Sequence, residues 1–156
     1  MTCFIWSEEF ELGIDIIDHQ HQRIVAYINQ TYAISSSNHS ALGSTDVKTI
    51  LASLVDYTLS HFAFEEALME EAEYPDLSEH QLAHHQFSEL IENFKLRFEQ
   101  GEDVSQQLAR VLQHWLIQHI MTEDKCYAEL VKQKLLGIEP ERHRLWIKNA
   151  VSRYFQ

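Results

Sequence analysis

Ten histidines occur in the chain, and five of them fall where helices would turn them toward a shared interior. Imidazole nitrogens bind transition metals, whereas an unpaired polar side chain is costly in an apolar core. Five imidazoles with neighbouring carboxylates are more ligands than one tetrahedral zinc ion takes, so the pattern favours a buried site for two metal ions. The five histidines are His21, His61, His80, His84 and His119.

The helical repeat places these histidines on inward faces. An α-helix has about 3.6 residues per turn, so apolar residues three and four apart mark the face that it buries. His80 and His84 share such a face with Phe87, and His61 is followed one turn later by Glu65. In the other two helices the buried face consists of Ile17, His21, Ile24 and Ile28, and of Leu108, Leu112, Trp115 and His119. We call such a row of inward residues a stripe. Each of four predicted helices therefore carries an inward histidine.

The types of ligand narrow the choice of metal but do not select one. Imidazole with carboxylate and without thiolate suits iron, zinc, copper or nickel. The sequence has no Glu-x-x-His motif, which ferritin-like centres use, and no His-Glu-x-x-His motif, which zinc proteases use. Cys3 and Cys126 have neither metal-ligand nor redox spacing, and we assign them no role.

Length, composition and charge bound the class of protein. The 156 residues fit one domain, and the 45% hydrophobic content is enough for a sizeable core. The formal charge of −12 argues against nucleic acid and an anionic membrane as partners, because both are polyanionic. No apolar run approaches the length of a membrane span, and the N-terminus lacks the basic start of a signal peptide, so we expect a cytoplasmic protein.

The pattern of elements predicts an all-α fold. The short connections after the second helix predict an up-down-up-down four-helix bundle. The serine-rich stretch 35–40 is predicted to be a solvated loop, and Gly137 to end the fourth helix. We assign residues 1–136 to the bundle and residues 137–156 to a C-terminal helix. The predicted helices run from near Asp18 to about Ser35, from Asp46 to about Glu73, from Leu77 or Ser78 to before Gly101, and from about Val104 to Leu136.

Two further segments flank the four helices. Phe4, Trp6 and Phe10 predict an extended N-terminal arm, residues 1–13, that lies across the bundle. Pro140 is well placed to open a C-terminal helix, which would have one apolar side. Residues 138–156 either pack back on the bundle or serve as a connector or self-association surface that leads to a signalling output domain. The sequence does not decide between these two interpretations.

The ordered motifs resemble those of the hemerythrins, and more specifically of bacteriohemerythrin-like domains, over roughly residues 6–131. Each motif alone is weak, whereas the ordered set with its His-x-x-x-Glu, His-x-x-x-His and His-x-x-x-x-Asp spacings is specific. The motifs are Trp6, Gly13-Ile14-Asp15, Asp18-His19-Gln20-His21, His61-Phe62-Ala63-Phe64-Glu65-Glu66, Tyr74-Pro75, His80, His84, Phe87, Trp115-Leu116-Ile117-Gln118-His119-Ile120 and Asp124-Lys125.

The resemblance implies a non-haem di-iron centre, in which two iron ions (Fe2+/Fe3+) share an oxo or hydroxo bridge. The implied ligands of one iron are His80, His84 and His119, and those of the other are His21 and His61. Glu65 and Asp124 would bridge the two metals, which leaves an open position for oxygen on the two-histidine iron. The residues that resemble the oxygen pocket of the family are Ile24, Phe62 and Leu116, with Trp115 packing against the site.

Helical phase and the family pattern disagree at one ligand. Asp124 follows His119 by five positions, about 140° around an ideal helix, whereas Glu123 at four positions would share its face. Phase alone selects Glu123. The resemblance selects Asp124, reached through its side chain or a local bulge in the helix, and we follow it. The histidines not predicted to bind metal are His19, His39, His85, His114 and His143.

The function implied by the resemblance is reversible binding of oxygen for transport or storage, without enzymatic turnover. The alternative is an oxygen- or redox-sensing domain that signals through its C-terminal extension to an output domain or partner. An enzyme that acts on peroxide or nitric oxide ranks last, because the apolar pocket residues supply no positioned proton donor.

Overall fold

A computed structural model describes residues 4–36, 45–136 and 140–155 of the chain. All the regular elements among these residues are helical, and the N-terminal arm contains one short 3-10 turn at Glu8–Phe10. The helices are α1 (Asp15–Ser36), α2 (Thr45–Glu71), α3 (Leu77–Glu99), α4 (Ser105–His119), α5 (Lys125–Val131) and α6 (Pro140–Tyr154). The π-helical turns Ile120–Asp124 and Lys132–Leu136 join α4 to α5 and extend α5.

The predicted all-α four-helix bundle is confirmed. Helix α1 contacts α2 and α4, and α3 contacts the same two helices, so the four segments close on one another around a common core. Each of them contributes a large aliphatic residue with no exposed surface, namely Ile28, Leu54, Ile91 and Leu112. Burying one such side chain contributes about 1.5–3 kcal/mol, and this apolar layer sets the distances between the helices.

Helix α1 begins at Asp15, three residues before the predicted start near Asp18. The carboxylate of Asp18 explains the difference, because it accepts hydrogen bonds from the backbone N–H groups of Leu12 (2.8 Å) and Gly13 (3.1 Å). Asp18 therefore lies inside the first turn and ties the arm to the helix. A negative charge there also interacts favourably with the helix dipole.

The arm lies against the bundle through two buried rings. Phe4 and Phe10 are 4% and 7% exposed, and their ring centroids lie 6.1 Å apart in an edge-to-face arrangement. Trp6 is only partly buried, with its ring 5.6 Å from that of Phe10. The side chain of Asn29 in α1 bonds both the N–H and the C=O of Phe4.

Helix α2 ends at Glu71, two residues before the predicted end at Glu73. The backbone of Glu73 has a φ of 57°, which is the left-handed conformation that closes a helix. Tyr74 N–H donates to Met69 C=O and Glu73 N–H donates to Glu70 C=O, the two bonds of a Schellman motif. The turn that precedes Pro75 is therefore built by the residue before Tyr74, not by the proline alone.

The last segment of the chain packs on α2. The ring of Phe64 lies 6.5 Å from that of Trp146 and 5.9 Å from that of Phe155, and Tyr57 lies 5.0 Å from Phe155. Leu145 on α6 is 60% exposed.

Gly137 and most of the predicted serine-rich loop lie outside the described residues. None of the described helices is long and apolar enough to cross a membrane.

We predict that Asp18→Ala detaches the arm and lowers the free energy of unfolding by about 1.5–3 kcal/mol, the range for hydrogen bonds to a charged group. Urea unfolding measures this loss. The matched control is Asp15→Ala, which removes an equal charge from the same turn at an exposed position. Its effect should be below about 1 kcal/mol, and equal losses in the two variants would contradict the role given to Asp18.

Candidate metal centre

The five inward histidines meet at the centre of the bundle. His21 comes from α1, His61 from α2, His80 and His84 from α3, and His119 from the last residue of α4. All five are at most 4% exposed. Glu65 of α2 and Asp124, at the end of the first π-helical turn, lie among them with no exposed surface. All seven predicted ligand residues are therefore brought together in one buried cluster.

Three of the imidazoles form one half of the cluster, which we name the three-histidine group: His80, His84 and His119. The Nε2 atom of His119 lies 3.0 Å from that of His84 and 3.1 Å from that of His80. Oε1 of Glu65 lies 2.9 Å from His80 Nε2 and 3.0 Å from His84 Nε2. The three nitrogens and one carboxylate oxygen converge on one point between α2, α3 and α4.

His21 and His61 form the other half, the two-histidine group. Their ring centroids lie 4.7 Å apart. The second oxygen of Glu65, Oε2, is 3.4 Å from His61 Nε2 and 3.9 Å from His21 Nε2. Asp124 Oδ2 is 3.2 Å from His21 Nε2.

Both carboxylates reach both groups. Glu65 directs Oε1 to the three-histidine group and Oε2 to the two-histidine group. Asp124 Oδ1 lies 3.1 Å from His119 Nε2 and 3.2 Å from His80 Nε2, while its Oδ2 faces His21. The ligand atoms form two sets of four, each set within 4.8 Å, and Glu65 belongs to both. The arrangement offers two adjacent cation positions bridged by carboxylate.

The π-helical turn at Ile120–Asp124 places Asp124, and not Glu123, beside the five histidines. A π-helix closes its hydrogen bonds over five residues, so it moves the following side chain about one position around the helix. Asp124 is thereby turned inward below His119, whereas Glu123 is only half-buried and belongs to neither ligand set. The ideal helical repeat predicts Glu123 because it assumes an α-helix without interruption between His119 and residue 124.

The chemistry of the donor set fits a cation. Four buried atoms lie within the cluster without a hydrogen-bond partner: His21 Nε2, His61 Nε2, Asp124 Oδ1 and Asp124 Oδ2. In the three-histidine group, Nε2 atoms face each other at 3.0–3.1 Å, where lone pairs of neutral imidazoles would repel. Metal ions would satisfy these atoms together, since histidine nitrogen and carboxylate oxygen are ordinary ligands of iron and zinc.

Electrostatics of the metal-free cluster lead to the same conclusion. Burial alone would lower the pKa of His80 and His119, but the negative charges of the adjacent Asp124 and Glu65 carboxylates outweigh it. The pKa of His80 is raised to about 9 and that of His119 to about 10. Burial lowers the pKa of His61. Without metal the cluster therefore takes up protons to balance its two carboxylates, and a bound cation would replace them.

The carboxylates themselves stay ionised. Burial raises the pKa of Glu65, but the charge of His61 and the hydrogen bonds of the surrounding histidines lower it well below its ordinary value. For Asp124, burial and the charge of Glu65 act upward, and His119 and His21 reverse the balance, so that its pKa is also low. Both groups are therefore available as anionic ligands at neutral pH.

Three polar residues that sequence analysis did not select contact the cluster from outside. Oε1 of Gln20 accepts from His61 Nδ1 at 2.7 Å, and Oε2 of Glu66 accepts from His84 Nδ1 at 3.1 Å. The hydroxyl of Tyr127, which is fully buried, donates to Glu65 Oε2 at 2.9 Å. Tyr127 follows Asp124 by three positions, so its place on the inward stripe was a usable signal.

Aromatic rings cover the three-histidine group. Phe62 is stacked on His84 with ring centroids 4.0 Å apart, and Trp115 is stacked on His119 at 4.2 Å. Phe87 stacks in turn on Trp115 at 4.0 Å. The other predicted pocket residues, Ile24 and Leu116, are 0% and 1% exposed. Flat apolar surfaces therefore cover this side of the cluster.

The remaining histidines lie elsewhere. The side chain of His85 is 70% exposed and faces Glu89, and His114 is exposed. His19 is exposed and its Nδ1 lies 2.9 Å from the C=O of Asp15. His39 and the side chain of His143 are outside what the structure describes.

Comparison with known proteins identifies the family of the chain. The Hemerythrin HHE cation binding domain matches residues 12–131. A bacteriohemerythrin of Stenotrophomonas maltophilia is 38% identical over 156 residues, and one of Pseudomonas aeruginosa is 35% identical over 157; both alignments cover 99% of each chain. A crystal structure of wild-type hemerythrin superposes with a TM-score of 0.76 at 25% identity, covering 83% of this chain and 98% of that one. The chain belongs to the hemerythrin family.

Proposed function

We propose that this protein binds dioxygen reversibly at a non-haem di-iron centre, as an oxygen carrier or store. The observation that carries the proposal is the double set of buried ligand atoms joined by Glu65 and Asp124. We propose iron as the metal and dioxygen as the ligand because the chain belongs to a family that includes bacteriohemerythrins. The net event is binding and release without turnover, and no residue is assigned a catalytic role.

The side chains divide the work of holding the metals. The three-histidine group would hold one iron and the two-histidine group the other, with Glu65 and Asp124 as shared ligands and an oxo or hydroxo group between the metals. Because the second group has one histidine fewer, the iron held there would be the one that accepts an external ligand. When bound, the iron pair supplies the two electrons that dioxygen accepts on binding and returns on release.

Apolar residues limit the access of water to the cluster. Ile24 and Leu116 are fully buried, and Phe62 and Trp115 lie flat against His84 and His119 of the three-histidine group. Water and protons would promote loss of the bound ligand in its reduced form and leave both irons oxidised. A dry lining therefore favours reversible binding over oxidation.

The direct test mixes anaerobically reduced, iron-loaded protein with oxygen and then returns it to vacuum while the visible spectrum is recorded. The proposal expects a ligand-to-iron charge-transfer band that appears with oxygen and disappears under vacuum over repeated cycles. Irreversible passage to the oxidised spectrum in one cycle would contradict the carrier function.

One contact favours an oxygen or redox sensor as the second candidate. Phe64 immediately precedes Glu65, and its ring lies beside Trp146 of α6 and Phe155. Movement of Glu65 on ligand binding would therefore reach the C-terminal helix through one buried ring. Subtracting the fluorescence spectrum of Trp146→Phe from that of the wild type gives the emission of Trp146 alone. A change in that signal on oxygen binding supports the sensor, and its absence supports the carrier.

The ligand assignment predicts how metal content responds to single substitutions. We expect His61→Ala and Glu65→Ala to abolish binding of two irons, because each removes a ligand that the described cluster does not replace. The matched control is His85→Ala, since His85 lies on the exposed face of α3 and should leave the iron content unchanged. Metal analysis of reconstituted protein measures the ratio, and loss of iron in His85→Ala would refute the assignment.

The histidine pKa values predict a pH dependence of the metal-free protein. His80 and His119 have raised pKa values of about 9 and about 10, against 6.5 in the unfolded chain. Their protonation therefore stabilises the fold fully below pH of about 6.5, and this contribution is lost as the pH rises through 9 and 10. We expect the urea midpoint of chelator-treated protein to decrease as the pH is raised from 6.5 to 10.

Asp124→Asn is the control for this prediction, because it removes a carboxylate that raises both histidine pKa values. The fall in midpoint should be smaller in this variant. A midpoint that does not change with pH in the unsubstituted protein, or that falls equally in Asp124→Asn, would show that these histidines are not the cause.

A further inference from the structure

The outer ring nitrogens of two cluster histidines face acceptors of different charge. His84, in the three-histidine group, directs Nδ1 to the carboxylate of Glu66 at 3.1 Å. His61, in the two-histidine group, directs Nδ1 to the neutral amide oxygen of Gln20 at 2.7 Å. In both rings the opposite nitrogen, Nε2, faces the cluster, so each acceptor fixes the tautomer that leaves Nε2 free to bind a metal.

The chemical consequence differs between the two rings. An acceptor on the outer N–H makes an imidazole a better electron donor to its metal, and a carboxylate does so more strongly than an amide because the bond is charge-assisted. A more basic ligand favours the higher charge on the metal it binds. The two cation positions are therefore electronically unequal beyond the difference in their number of histidines.

We propose that Glu66 and Gln20 are positioning residues that make the two metal positions unequal. Glu66 strengthens the three-histidine position and favours trivalent metal there, and Gln20 keeps the two-histidine position weaker and divalent. This inference rests on the proposed di-iron function. A two-histidine iron that is poor in electrons would take electrons back from the reduced ligand more readily, so the pair of acceptors biases the site toward release of dioxygen.

The surroundings of the two acceptors support distinct roles. Glu66 is 25% exposed and lines a surface groove of about 380 Å³ between α2 and α3, so its charge is partly hydrated and tolerable beside the core. Gln20 is 3% exposed, and its Nε2 atom has no partner among the described residues. A glutamate at that position would keep the bond to His61 and lose no other hydrogen bond, so Gln20→Glu changes the charge with little loss of contacts.

Glu70 provides the matched control. It lines the same groove as Glu66, and it is not among the residues that contact a cluster histidine in the described structure. Glu70→Gln therefore removes the same charge from the same groove without changing the acceptor of His84. A general electrostatic effect of the groove on the cluster should appear in Glu70→Gln as well as in Glu66→Gln.

The first experiment titrates metal-free protein with Co2+, whose visible spectrum reports binding without oxygen chemistry. We expect two binding steps in the unsubstituted protein. Glu66→Gln should weaken the tighter step about tenfold, the lower bound for loss of an outer partner of a histidine ligand. Gln20→Glu should strengthen the weaker step and bring the two steps together, while Glu70→Gln leaves both unchanged.

The second experiment measures one-electron midpoint potentials of the iron-loaded variants. Glu66→Gln should raise the potential of the first iron to be oxidised, by about 59 mV for each tenfold loss of preference for Fe3+ over Fe2+. Gln20→Glu should lower the potential of the other iron. A residue that only supported packing would change the urea midpoint and leave both potentials in place.

The outcomes separate this inference from the function on which it rests. Unsubstituted protein that binds neither Co2+ nor iron at two sites would overturn the proposed function. A different result is that the protein binds two ions while Glu66→Gln and Glu70→Gln shift the affinities and potentials equally, or while Glu66→Gln shifts neither. Either form of this result would overturn the proposed difference between the two metal positions and leave the proposed di-iron site intact.

Discussion

The structure depends on the cost of burying two carboxylates. Glu65 and Asp124 have no exposed surface, and both remain ionised, so the interior must supply positive charge beside them. Isolated charges are not tolerated at such depth, and removal of one partner of a buried pair is strongly destabilising. Protonated histidines balance them in the metal-free protein, and metal ions would balance them when bound. Folding and metal binding are therefore coupled at one point in the core.

The bundle positions the cluster because each of its ligands lies on a helical segment. Four helices each contribute at least one histidine, and the apolar layer of Ile28, Leu54, Ile91 and Leu112 fixes their spacing. The π-helical turn after His119 is the one local departure that the centre requires, because it turns Asp124 inward. Such turns are rare, and their place at a functional site agrees with the general pattern.

Much of this arrangement was predictable because burial of a helix face is a local property. The stripes through His61 and Glu65, and through His80 and His84, follow the helical repeat, and the structure buries all four residues. The ends of the helices were less predictable. The start of α1 depends on a side-chain bond that Asp18 makes back to the arm.

Other features depend on contacts between helices and have no sequence pattern of their own. Gln20 and Glu66 adjoin His21 and Glu65, but neighbours in a helix point about 100° apart. Each reaches a histidine of a different helix, so its role depends on how the helices pack. The orientation of Asp124 depends in the same way on the π-helical turn, which phase on an ideal helix does not include.

We propose that one buried cluster holds two metal ions that share carboxylate ligands. Diffraction from crystals of iron-loaded protein, collected on both sides of the iron absorption edge, would locate these ions. We expect two anomalous peaks roughly 3.5–4 Å apart, one in each histidine group, with one oxygen of Glu65 against each peak. A single peak, or two peaks of which one lies outside the cluster, would contradict it.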